Sequence, residues 1–223
     1  MTNDNALPAK SRADAVRGAL LDAALNEAAF DGWNARTLAR AAAAAGYSDG
    51  EVQLYCPDGV LDLIEVWSRQ ADEGARQVII TSGANRIRDK VAGGVMARLD
   101  QIAGLEDAAS RARGRLLLPD GLDRGRRLIW ATSDMIWRAI GDKSTDYNFY
   151  SKRTILSGVF TTTFMIWVED ADPEKAKTKA FLDNRIENVM QFEKVKGQVT
   201  KLTGRLPNLA EIASRARYGM GRR

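Results

Sequence analysis

"AAAAAGYSDGEVQLY", Ala41 to Tyr55, is the stretch on which the fold turns. Alanine is the best helix former, Gly46 can take the left-handed conformation that closes a helix, and Ser48 and Asp49 are capping candidates for the next one. The run therefore reads as the end of a helix over Ala35–Ala45, a tight break, and a short helix reaching Pro57. Upstream, Ser11 is the candidate N-cap of a longer helix, because Val16, Leu20, Leu21, Ala24, Leu25 and Ala28 recur on one side after it. That helix should stop at "DGW", where Gly32 ends it. Downstream, a fourth helix opens over Pro57 to Gly59 and carries Leu61, Ile64, Val66 and Trp67.

Three short helices closed by such a run resemble the helix-turn-helix head of the TetR repressor class, where an "A...AG.S.G..Y" pattern leads into the recognition helix. The resemblance covers about the first 70 residues. It departs where DNA would be touched: the recognition helix, Ser48 to Tyr55, puts Asp49 and Glu51 toward phosphates, and "CPDG" stands where repressors supply a lysine. Charge points the same way. Leu20 to Glu73 holds ten acids against three bases, a balance of −7, whereas phosphate contacts need bases. The expectation is a retained fold with no nucleic-acid partner; the alternative is a TetR-type regulator responding to a lipid.

Composition narrows the chemistry further. The chain has 223 residues, enough for one sizeable core. Five prolines and no alternating strand-like segments leave long helices free to form throughout. There are no histidines, which excludes Ser-His-Asp and Cys-His nucleophiles, the usual zinc sites and the Glu-x-x-His ligands of di-iron bundles. The single cysteine, Cys56, can form no internal disulfide, and the polar start "MTNDNALPAK" is unlike a secretory signal, so a cytoplasmic chain is expected. No catalytic residue, metal site or cofactor is assigned, and the protein is read as a non-enzyme.

Beyond the head, helices are expected over Arg86–Leu99, Glu106–Leu118, Leu122–Ile140, Tyr147–Val168 and Pro173–Val195, broken by "LLLPDG" and "AIGDKSTD". The fold class is all-α, TetR/FadR-like. Its organisation is a degenerate helix-turn-helix head over 11–56, a helical body over 57–200 and a basic amphipathic segment over 201–223.

Within the body, "TILSGVFTTTFMIWV", Thr154 to Val168, has 15 residues without a charge. A bilayer span needs about 20, so the run reads as a helix buried on all sides. Two interpretations stay open. It is plain core, or its small residues, Gly158 and Thr161 to Thr163, leave a slot beside the large ones for an elongated apolar ligand. The candidate lining is Met96, Trp130, Met135, Leu156, Val159, Phe160, Thr163, Phe164, Met165 and Trp167.

The segment before it, "WATSDMIWRAIGDKSTDYNFYSKRTILSGVFTTT", Trp130 to Thr163, resembles the ubiquinone-biosynthesis accessory family, the ninth of the numbered coenzyme Q biosynthesis proteins. Its hallmark is "D-M-W...GD-STD-(aromatic)-N-(aromatic)-Y-x-(K/R)-R". Asp134, Trp137, Gly141, Asp142, Ser144, Thr145, Asp146, Asn148, Phe149, Tyr150 and Arg153 match it. Weaker likeness extends through Gly32 and Trp33, Arg86–Leu99 and Phe181–Met190, over most of the chain. The hallmark's first aromatic is commonly Phe or Trp and its second Trp, where this chain has Tyr147 and Phe149. The resemblance implies a TetR-like fold without DNA binding, a helical body that binds isoprenoid quinone intermediates or other lipids, and docking onto the pathway's di-iron hydroxylase. It carries a partner surface onto Asp134, Trp137, Asp146, Asn148, Phe149, Tyr150 and Arg153, although the rings could simply pack the helix junction.

The last stretch reverses the charge of the head. Lys194 to Arg223 holds eight bases against one acid, a balance of +7. Leu206, Leu209 and Ile212 fall on one face, with Arg205, Arg215 and Arg217 on the rest. Such a helix can lie on an anionic membrane surface, here the inner face of the inner membrane, or be a solvated terminus. A homodimer is expected by analogy with TetR-like bodies.

Overall fold

The computed structural model describes residues 9–203, with side chains over residues 12–191. The residues 205–217 assigned to a membrane surface lie outside that range. Among the described residues the chain is helical, with no strand: α1 (Ala9–Asp31), α2 (Ala35–Ala45), α3 (Asp49–Tyr55), α4 (Val60–Thr81), α5 (Ile87–Asp100), α6 (Glu106–Leu116), α7 (Leu122–Ala139), α8 (Tyr147–Glu169) and α9 (Ala176–Thr203). The all-α expectation is met. Residues up to Leu182 form one compact unit, and the stretch from Asp183 onward forms a second.

The punctuation around the deciding stretch follows local chemistry. Asn34 caps α2 by accepting from the Arg36 and Thr37 amides at 2.9 and 3.1 Å, and Gly46 closes it at φ 76°. Ser48 and Glu51 form a reciprocal capping box on α3. One cap is corrected: α1 is already helical at Ala9, so Ser11 lies inside it rather than ahead of it.

α1 buries Val16, Leu20, Leu21, Ala24 and Ala28 against α2, α4 and α6. Around them α4 packs on α5 and α7, and α7 on α8. Polar clamps fasten the head to the rest. The Trp33 indole donates to the Ala108 carbonyl at 2.9 Å, and Arg111 to that of Ala29 at 2.8 Å.

α8 is not buried on all sides. Leu156, Val159, Phe160, Thr163 and Trp167 face inward, but Thr154 and Gly158 are exposed and Met165 is 44% exposed. Threonines explain how an uncharged helix tolerates water on one side: Thr161 and Thr162 return their hydroxyls to the carbonyls of Ser157 and Gly158.

The negative balance of the head also looks different in three dimensions. Arg124 of α7 reaches Asp58, Asp62 and Glu65, Arg98 of α5 reaches Asp72, and Arg40 takes Glu27 and Asp31. Most of those acids are therefore spent on internal pairs. Asp49 and Glu51 remain at the N-terminus of α3, where the helix dipole favours them.

Candidate functional site

Two features stand out, a corner and a cavity. The corner lies where α7 ends and α8 begins. Gly141 makes the turn at φ 88°, and Asp146 caps α8 by accepting from the Asn148 amide at 2.9 Å. Tyr147 and Tyr150 then sit at the surface, 74% and 61% exposed. Phe149 packs edge-on to Tyr150 with ring centroids 5.1 Å apart, and Trp130 lies 6.3 Å from Tyr150. Trp130 therefore belongs to this aromatic group rather than to a lipid slot.

Arg153 organises the corner from beneath and is corrected as a surface residue, since it is only 1% exposed. Its Nε donates to Asp134 at 2.6 Å; its Nη1 donates to Asp142 at 3.2 Å and to the Phe149 carbonyl at 3.1 Å. The guanidinium carbon stacks 3.5 Å from the Phe149 ring centre. Lys152 and Ser144 complete the shell around Asp142 at 2.7 and 2.8 Å. Burial works against ionising Asp142, yet donors from Lys152, Ser144 and Arg153 outweigh it and hold the carboxyl at about 2. Burial likewise opposes Asp134, and Arg153 with Arg138 brings it below its ordinary value. Trp137 is tied in through its indole, which donates to the Lys152 carbonyl at 3.1 Å. What reaches the solvent is thus a pair of tyrosines on a rigid ionic base, with Asp146 and Asn148 exposed beside them.

The cavity, about 240 Å³, is enclosed by α4, α5, α6, α7 and α8. Its wall is mainly apolar, built from Ile64, Trp67, Ile102, Leu128, Ile129 and Phe160, with Ala109 and Ala112 of α6 leaving the space. Exposed Leu117 and Leu122, with Arg113 and Arg126, mark where it meets solvent. Arg98, Ser68 and Thr132 supply its inner polar groups.

Of the sequence-derived lining residues, Phe160 and Phe164 line this cavity. Met96 lines a separate, more polar hollow beside Ile79 and Asp100. Leu156, Val159, Thr163 and Trp167 are packed core, Met135 is half-buried in neither hollow, and Met165 points to solvent. Neither α4, an ordinary apolar stripe, nor α6, a charged helix with a line of alanines, marks a cavity in sequence; only their convergence makes a wall. Among the described residues no group of three or more metal-ligating acids or cysteines comes together, and no helix is long and apolar enough to cross a membrane.

Comparison with known proteins gives likeness in sequence and in fold. The COQ9 family model matches residues 122–193, which hold α7, the corner, α8 and most of α9. The chain is 29% identical to "Ubiquinone biosynthesis protein COQ9, mitochondrial" of Rattus norvegicus, across 85% of this chain and 63% of that protein. It is 31% identical to the protein of the same name from Xenopus tropicalis, across 77% and 56%. The chain thus spans about 60% of the length of such relatives. Among solved structures, a TetR transcriptional regulator from Nitrosomonas europaea superposes with a TM-score of 0.63 at 20% identity, covering 78% of this chain and 97% of that one. The fold is therefore TetR-like, and the resemblance read from the hallmark is borne out by the match of residues 122–193 to the COQ9 family model and by the similarity to COQ9 proteins.

Proposed function

We propose, from the premise of a COQ9 domain over residues 122–193, that this chain is a non-enzymatic accessory protein of ubiquinone biosynthesis. It binds the apolar part of an isoprenoid quinone intermediate in the cavity between α4 and α8. It presents that intermediate to a di-iron hydroxylase docked on the Tyr147–Tyr150 corner. It works as a homodimer at an anionic membrane surface, with no nucleic-acid partner and no cofactor of its own.

The observation that carries this reading is the cavity. At about 240 Å³ it falls just under the roughly 300–1,000 Å³ of drug-sized sites, so it accepts part of a prenyl chain and leaves the rest at the opening beside Leu117 and Leu122. The corner supports the second half, because exposed rings with charged neighbours have the chemistry of an interface centre.

The test is a titration with a short-chain prenylated benzoquinone, followed by tryptophan fluorescence. Trp67 lines the cavity, so binding quenches its emission. Thr161→Trp, which fills the cavity from a half-exposed position on α8, weakens binding by at least about tenfold. Equal binding by both proteins would refute the assignment.

A further inference from the structure

Arg98 is only 5% exposed and lines the cavity. Two of its three nitrogens are engaged: Nε donates to Asp72 Oδ1 at 2.5 Å, and Nη2 donates to the Ser68 carbonyl and hydroxyl at 3.4 and 3.3 Å. The third, Nη1, is buried and has no hydrogen-bond partner among the described residues. A buried guanidinium nitrogen without an acceptor is costly and uncommon. The Phe160 ring, which shares the cavity wall, lies 6.0 Å from the guanidinium carbon.

The charge around Arg98 decides what that ligand carries. Asp72 already pairs with it through Oδ1, which also accepts from the Thr132 hydroxyl at 2.8 Å, so the ion pair is neutral as a whole. A carboxylate or phosphate would bring an unmatched charge into an apolar chamber. A neutral oxygen would not.

Resting on the lipid-site reading above, we infer that Arg98 is the polar anchor of the cavity, with Nη1 donating to a neutral carbonyl oxygen of an otherwise apolar ligand. The head group then lies inward near α5, and the chain runs outward toward Leu117 and Leu122. Arg113 and Arg126 at the opening are left to the exterior.

A matched series tests this: methyl undecyl ketone, tridecane and tridecanoate, delivered from cyclodextrin and followed by tryptophan fluorescence. The wild-type chain is expected to bind the ketone on the order of tenfold more tightly than the alkane, as one charge-assisted hydrogen bond allows, and more tightly than the acid. In Arg98→Met/Asp72→Asn, which leaves no bare charge, the ketone's advantage falls below about twofold while the alkane's affinity holds. Arg98→Lys keeps the partner of Asp72 but not the fork, and gives the same loss should the double variant fail to fold. Equal binding of ketone and alkane by the wild type would overturn the anchor and leave the lipid cavity standing. Preference for the acid would overturn the neutral acceptor, and a ketone advantage surviving both variants would remove Arg98 as the donor. Binding of none of the three would overturn the lipid cavity itself, and the anchor with it.

Discussion

Replacing Arg153 by methionine removes one side chain and four contacts at once: ion pairs to Asp134 and Asp142, the bond to the Phe149 carbonyl, and the stack on its ring. Methionine roughly keeps the length, so the perturbation is mainly electrostatic. Breaking a buried ion pair costs about 3–5 kcal/mol because the partner charge is stranded. Here both partners retain a second cation, Arg138 on Asp134 and Lys152 on Asp142, which places the loss near the lower end, about 3 kcal/mol. For a chain of 223 residues, about 2–4 °C per kcal/mol converts this to a fall in Tm of roughly 6–12 °C. Circular dichroism at the helical minimum during a thermal scan measures it. Arg153→Lys, which keeps a charge without the fork, should fall between the two proteins. A methionine variant melting within about 2 °C of the wild type would refute the view that Arg153 holds the corner together.

Asp142 gives the corner a pH signature. Its folded value of about 2 lies below an unfolded one of about 3.9, so the stabilisation is fully present above about pH 4 and is lost as pH falls toward 2. Urea titrations at about pH 5 and pH 2 should show the wild type losing roughly 2 kcal/mol more than Asp142→Asn; equal losses would count against the network. Two helical glycines should behave oppositely. A Cβ at Gly74 meets only the end of the flexible, exposed Gln101 side chain, so Gly74→Ala stabilises by about 0.5–1 kcal/mol. At Gly94 it comes within 2.8 Å of the buried Ile136 Cγ2, so Gly94→Ala costs about 1–3 kcal/mol in the same melts. At the surface, Tyr150→Lys should weaken association with the di-iron hydroxylase at least tenfold in a pull-down while leaving the melt within about 2 °C; unchanged association would remove the corner as the docking face.

The helical order was readable because its punctuation is local: Gly32, Gly46, Ser48 and Gly59 act through their own backbone and nearest neighbours. The corner was readable as a motif, but not the division of labour inside it. Arg153 and Tyr150 are three positions apart in one helix, and only packing against Asp134 and Asp142 sends one inward and leaves the other outside. The cavity was the least legible part. Its wall draws on five helices, its space comes from Ala109 and Ala112 as well as from Thr161 of α8, and Arg98 gives no sign in sequence that it points into an apolar chamber.

Mass spectrometry of lipids extracted from the purified chain tests the central claim most directly. An isoprenoid quinone precursor should accompany the wild-type protein and be depleted at least about tenfold in Thr161→Trp. A chain that comes away bare, or carries the same lipids in the same amounts with its cavity filled, would contradict it.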